Sequence, residues 1–281
     1  MNVGRFIIEQ LSEGIFEVFK DGALHKIDAG EITSGQPNAQ SKQQSAPVGI
    51  DPILIKDGNR NILIDTGLGW GLDARSEYQN TSNLKTNLDI FGLTPEDITH
   101  VILSHLHFDH AAGSTYVDGT ATTQPTLPNA HYFVQKREWH YAISQVQEQK
   151  VHIGAGYEMD ELYKLYAEDK LVLITDDYFE LFPGIQIIWT GGHTPGHQIV
   201  KVQDGNETAY YLGDLVPTEY HINHYFMKQM DVDPVQAKKA KTLILREAYD
   251  ENAYLLFYHS IHVKSGKLEK DVDRKFVLRE L

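Results

Sequence analysis

Val101-Ile-Leu-Ser-His-Leu-His-Phe-Asp-His-Ala-Ala-Gly113 puts four side chains able to bind metal, His105, His107, Asp109 and His110, directly behind a short apolar run. Val101 to Ser104 reads as the end of a buried strand, and Ala-Ala-Gly suits a tight entry into a helix. Side chains alternate along an extended segment, so His105, His107 and Asp109 are expected to share one side, with His110 directed elsewhere. Such a division supplies two groups of ligands from one loop, as a two-metal site needs. Neutral imidazole and carboxylate are standard zinc ligands, and this density of them is hard to explain as packing. The remaining ligands must come from further along the chain.

Bulk properties narrow the class. The 281 residues are 41% hydrophobic and 23% charged, as in an ordinary soluble globular protein, and suffice for a sizeable core. The net charge of -14 argues against a nucleic-acid surface, which needs a basic footprint. Two divalent cations would only reduce the deficit to about -10, so the acidity mostly serves solubility. With no cysteine, disulfides and thiolate sites are excluded, and any metal must be held by the 14 histidines and by carboxylates. The first ten residues contain no long apolar stretch, so no signal peptide is expected, and no run approaches membrane-spanning length. The expected location is cytoplasmic, without nucleic-acid or membrane partners.

Read in order, residues 4 to 20 suggest first-sheet or edge strands. Residues 29 to 48 are Gly-, Ser- and Gln-rich and read as a long loop, either a lid or a solvated excursion. Asp57-Gly58-Asn59 between two apolar runs predicts a hairpin, followed by Asp65, either a turn-former or a partner that orients a ligand histidine. Residues 70 to 98 read mostly helical, with a helix start or turn at Thr94-Pro95, and His100 lies ahead of the strand that feeds the opening motif. Tyr132 to Val134 reads as a strand and Lys136 onward as a helix, opening a helical insertion over about 136 to 170. Three later strands run into Gly191-Gly-His193, Asp214 and His259. Strands interspersed with helices indicate an α/β chain whose site gathers at strand ends. One domain over 1 to 281 is expected. His131, His140 and His197 are read as structural, as is His262, while His152, His221 and His224 are left unplaced.

As a set, His105-Leu-His107-Phe-Asp109-His110, Gly-Gly-His193, Gly213-Asp214 and Tyr258-His259 resemble the metallo-β-lactamase superfamily, in family order and, counted from Asp65, over most of the chain. The resemblance implies a four-layer αβ/βα sandwich of two mixed sheets flanked by helices, with the site at one edge. It implies that His105, His107 and His193 hold one metal, that Asp109, His110 and His259 hold the second, that Asp214 bridges them, and that Asp65 stands behind the ligands. Asp-Pro-Ile-Leu-Ile, Thr-Gly-Gly-His and Gly-Asp-Leu-Val-Pro-Thr are most similar to the quorum-quenching N-acyl-homoserine lactonases, and much of this wording is shared with methyl parathion hydrolase-like phosphotriesterases. Pro217 stands where those lactonases carry a tyrosine, and nearby Tyr220, with His221 and His224, is the candidate substitute. His107 is not the glutamate of flavodiiron oxygen reductases, which argues against a redox role.

The expected cofactors are two divalent ions, zinc first, with manganese, iron or cobalt also compatible with these ligands. The expected reaction is opening of a lactone ester, of N-acyl-homoserine-lactone type, by a metal-bridging hydroxide, with Asp109, Asp214 and Tyr220 as catalytic candidates. Phosphotriester, thioester and β-lactam hydrolysis remain alternatives, and so, from another class, does an inactive metal-bound signalling protein. The expected partner is a small ester or lactone. A homodimer stays open, as does the use of residues 29 to 48 in it.

Overall fold

A computed structural model describes residues 1–19, 24–27, 45–75, 81–147, 156–223, 228 and 230–280. Two seven-stranded sheets dominate them. The first runs, in spatial order, Asn2–Val3, Phe6–Gln10, Ile53–Asp57, Arg60–Ile64, His100–Ile102, His131–Gln135 and Leu171–Ile174. The second runs Tyr178–Phe182, Ile185–Trp189, Gln198–Asp204, Glu207–Tyr211, Tyr254–Leu256, Ser265–Lys270 and Phe276–Glu280. Both are mixed: Arg60–Ile64 pairs parallel to His100–Ile102, and Glu207–Tyr211 parallel to Tyr254–Leu256, among antiparallel neighbours. Among the described residues the α-helices are α1 (Leu84–Ile90), α2 (Phe108–Ala111), α3 (Lys136–Gln147), α4 (Met159–Ala167) and α5 (Pro234–Asp250).

Period-two patterning builds the layers. Ile62 and Ile64 face inward with Ile53, Ile55 and Ile102, meeting Ile185, Ile187, Val200 and Val202 of the second sheet. The intervening Leu63, with Leu54 and Val101, turns outward onto Leu84 and Leu88 of α1, Trp139 of α3 and Leu162 of α4. On the far side Ile188, Ile199, Tyr210 and Leu255 meet Ile244, Leu245 and Ala248 of α5. The order helix, sheet, sheet, helix is the expected four-layer sandwich. Among the described residues no helix is long and apolar enough to cross a membrane.

The hairpin forms as expected, with Gly58 and Asn59 between its strands. Other stretches differ from the sequence reading. Residues 45 to 48 belong to the strand Ser45–Ile50, which pairs with Gly14–Phe19, while 29 to 44 lie outside the described residues. Within 70 to 98 the helical parts are α1 and the 3-10 turn Pro95–Asp97; residues 76 to 80 are not described. α1 starts where Asn83 and Thr86 cap each other reciprocally, giving otherwise free N–H groups side-chain acceptors. His100 is the first residue of its strand, held between Phe133 and Phe182. The insertion supplies α3 and α4, with 148 to 155 outside the described residues.

Candidate metal centre

Each candidate ligand follows the end of a strand. His105 follows His100–Ile102, His193 follows Ile185–Trp189, Asp214 follows Glu207–Tyr211, and His259 follows Tyr254–Leu256. In the second sheet Ile185–Trp189, Glu207–Tyr211 and Tyr254–Leu256 run in one direction, and in the first His100–Ile102 runs parallel to Arg60–Ile64. The residues that follow these strands meet at one edge of the sandwich. Asp65 ends the neighbouring strand at a φ of 57°, a left-handed conformation that aspartate tolerates better than most residues. From there its Oδ1 accepts the N–H of Ser104 at 2.6 Å. Its Oδ2 accepts the Ser104 hydroxyl at 2.7 Å, His110 Nδ1–H at 2.8 Å and the Tyr211 hydroxyl.

Two groups of donors result, sharing a carboxylate. His105 Nε2 lies 2.9 Å and His193 Nε2 3.2 Å from His107 Nδ1. In the other group His110 Nε2 and His259 Nε2 are 3.2 Å apart, and Asp109 Oδ2 is 3.5 Å from His259 Nε2. Asp214 stands between them: Oδ2 is 3.3 Å from His193 Nε2, and Oδ1 is 3.2 Å from His259 and 3.4 Å from His110. Asp109 therefore groups with His110 and His259, not with His105 and His107 as strand alternation predicted. The reason is local. The chain turns helical at Phe108, and Asp109 and His110 occupy the single turn of α2.

These donors fit metal ions. Behind the cluster, Ser104 Oγ lies 3.0 Å from His105 Nδ1, Asp65 takes His110 Nδ1–H, Asp231 Oδ1 lies 3.1 Å from His193 Nδ1, and the Gly49 carbonyl lies 2.9 Å from His259 Nδ1. Each partner engages the rear nitrogen and aims the forward one at the cluster, where it can bind an ion. These nitrogens converge at little more than hydrogen-bond distance with no other group between them, and the buried Oδ1 of Asp214 has no hydrogen-bond partner. A cation between the groups satisfies all of them.

The electrostatics divide the two groups: three imidazoles are already neutral, and two hold protons that a bound cation would displace. Burial, reinforced by neighbouring imidazoles, pushes His105, His107 and His193 well below the usual histidine value, so they are neutral. Burial acts the same way on His110, but Asp109 and Asp65 outweigh it and raise the group to about 10. His259 is also raised against its burial, chiefly by Asp214. Burial would raise the Asp214 carboxyl, yet Lys228, His259 and His193 hold it well below the usual range.

Two partners are not evident from sequence. His197 is buried, donates Nδ1–H to Thr190 Oγ1 at 2.7 Å and accepts the N–H of Asp214 at 3.0 Å. It fixes the backbone that presents the shared carboxylate. A Cβ on Gly213, where φ is 48°, would stand 2.9 Å from that imidazole, so glycine permits the contact. Asp231 lies far along the chain from His193, and Lys228 Nζ, 3.4 Å from Asp231 and 3.7 Å from Asp214 Oδ2, joins both acids. Tyr220 is not brought into the cluster: it sits in the 3-10 turn Glu219–Ile222 with 75% exposure. His221 bonds Thr218, and burial lowers it to about 4. His152 and His224 lie outside the described residues.

This sandwich with a histidine–aspartate cluster at its edge defines a class. The sequence profile of the metallo-beta-lactamase superfamily matches residues 46–259, and the chain belongs to that superfamily. Within it the chain is 32% identical over 167 residues to N-acyl homoserine lactonase AiiA of Bacillus thuringiensis subsp. kurstaki, covering 53% of this chain and 56% of the relative. The chain thus spans about half the length of the curated relatives it matches. Its fold superposes on the crystal structure of a probable metal-dependent hydrolase from Staphylococcus aureus with a TM-score of 0.74 and 28% identity, over 100% of this chain and 99% of that one. The fold also matches AidC, a dizinc quorum-quenching lactonase, with a TM-score of 0.72 and 22% identity, over 100% and 96% of the two chains.

Proposed function

We propose that the protein is a dinuclear metal-dependent hydrolase that opens the ester of a lactone of N-acyl-homoserine-lactone type. The observation carrying this reading is the two-sided Asp214 between two groups of inward-facing donors. His105, His107 and His193 would hold one ion, Asp109, His110 and His259 the other, and Asp214 would contact both. Zinc suits three neutral imidazoles, and manganese, iron or cobalt would also be accepted. Bound ions would supply Lewis acidity towards the ester carbonyl and a water acidified towards neutral pH. The similarity to lactonases supports the substrate class.

The chain's own groups do the rest. Asp65, Asp231 and Gly49 O hold the rear nitrogens of His110, His193 and His259 and so direct the forward nitrogens to the ions. Asp109 has the more open carboxylate, with a side chain 21% exposed against 12% for Asp214, and can take a proton from the nucleophile and return it to the leaving alkoxide. Asp214 is the second candidate for that proton. Pro217 carries no donor, but its carbonyl accepts the N–H of His259 at 3.0 Å, so this position builds the site. Tyr220, exposed at its turn, is given no catalytic part.

The test is hydrolysis of an acyl-homoserine lactone and of an aryl phosphotriester before chelation, after it, and after zinc is restored. Lactone turnover lost on chelation and regained with zinc is expected. Undiminished turnover in metal-free protein would refute the reading, and preference for the phosphotriester would reassign the substrate.

A further inference from the structure

Glu138, in the first turn of α3, is a fully buried carboxylate that takes no part in the chemistry described above. Its Oε1 accepts the N–H of Leu106 at 3.1 Å and the Tyr157 hydroxyl at 3.4 Å. Its Oε2 accepts the Thr194 hydroxyl at 2.6 Å and the N–H of Gly196 at 3.1 Å. Leu106 lies between His105 and His107, and Thr194 directly follows His193. One side chain thus ties together the two loops that deliver the three imidazoles.

We infer that Glu138 is a positioning residue for the three-imidazole half of the centre, setting the distance of His193 from His105 and His107 and so the affinity of that half alone for its ion. The inference rests on the metal-binding reading above.

Three features support it. All four partners are donors, so the group they select is an ionised acceptor with both oxygens engaged. Burial raises the Glu138 pKa and the four donors oppose that shift. The loops also lie hard against the helix: a Cβ on Gly196 would stand 2.3 Å from the Glu138 backbone nitrogen. Tyr157, bonded to the carboxylate, has its ring 5.0 Å from that of His107, so the brace reaches the ligand itself. Third, the other half has separate supports. Asp65 holds His110, the Tyr258 hydroxyl donates to the Asp109 carbonyl at 2.6 Å, and Gly49 holds His259, and none of these bonds involves Glu138.

Metal-free wild type, Glu138→Gln and Tyr210→Phe are titrated with cobalt(II), following visible absorption and bound metal per chain. Tyr210→Phe removes bonds to Glu247 and Glu251 on the far face of the second sheet and reports on general destabilisation. Glutamine supplies one acceptor oxygen where two are needed, so Glu138→Gln should bind one ion as wild type does and the other about 10–100-fold more weakly. Tyr210→Phe should bind both normally. If Glu138→Gln does not fold, Thr194→Val, which removes one contact, should weaken the same ion by about 10-fold. Two wild-type affinities in the Glu138 variant, equal weakening of both ions, or the same loss in Tyr210→Phe would overturn the inference. Failure of wild type itself to bind two ions would instead overturn the reading beneath it.

Discussion

Replacing Asp65 by asparagine changes one atom of a residue with no exposed surface, and its cost can be worked from the contacts. Oδ2 receives three donors, from Ser104 Oγ, His110 Nδ1 and Tyr211, while Oδ1 receives one, from the Ser104 backbone. Asparagine will turn its oxygen towards the three and its NH2 towards the one. The Ser104 N–H, on a residue with no exposed surface, then loses its acceptor, a cost of about 1–3 kcal/mol. The other three bonds lose the carboxylate's charge, at roughly 1 kcal/mol each. Asp65→Asn should therefore destabilise the metal-free protein by roughly 4–6 kcal/mol. Tyr211→Phe alone should cost about 1.5–3 kcal/mol, but only about 1 kcal/mol in the Asp65→Asn background, because there it removes a bond to a neutral acceptor. The assay is urea unfolding of the four proteins in chelator, followed by circular dichroism. A cost for Asp65→Asn below about 1 kcal/mol, or the same Tyr211→Phe cost in both backgrounds, would show that Asp65 is not the hub described.

Other perturbations have equally definite outcomes. Burial raises Glu13 from 4.5 to about 8, so its contribution to stability is complete below 4.5 and is lost as pH rises through about 8. Glu13→Gln should therefore gain on wild type between those pH values, by at most about 5 kcal/mol, and parallel stability–pH curves would refute this. Asp231→Asn weakens the acceptor behind His193 and should lower metal affinity about 10–100-fold, measured by competition with a chelating dye. Leu245→Ala, 1% exposed between α5 and the second sheet, should cost about 2–5 kcal/mol in denaturant unfolding while both ions still bind. Tyr220→Phe should leave lactone turnover within about twofold, since a 75% exposed side chain makes little difference in either state.

What the sequence made legible was local. The Ile53–Asp57 and Arg60–Ile64 hairpin follows from two apolar runs around Gly58, and His131–Gln135 followed by α3 from a short apolar run followed by charged residues. The candidate donors stood out because they end apolar runs. α5 was not read from sequence: Asp233 caps the N–H groups of Val235 and Gln236, but the apolar face of the helix is diluted by alanine and lysine. The expectation for Asp109 failed because strand periodicity was carried into residues that form a helical turn. Glu138, His197 and Asp231 could not be read, because each acts on a loop brought near only by the docking of distant elements. No spacing rule encodes that proximity.

Because His193, Asp214 and His259 come from the second sheet and the other four donors from one loop of the first, the full cluster is complete only when the sheets have docked on the shared isoleucine and valine core. Ions bound there would fasten the docked halves together, so unfolding should slow as ion occupancy rises, with a smaller effect on the rate of folding.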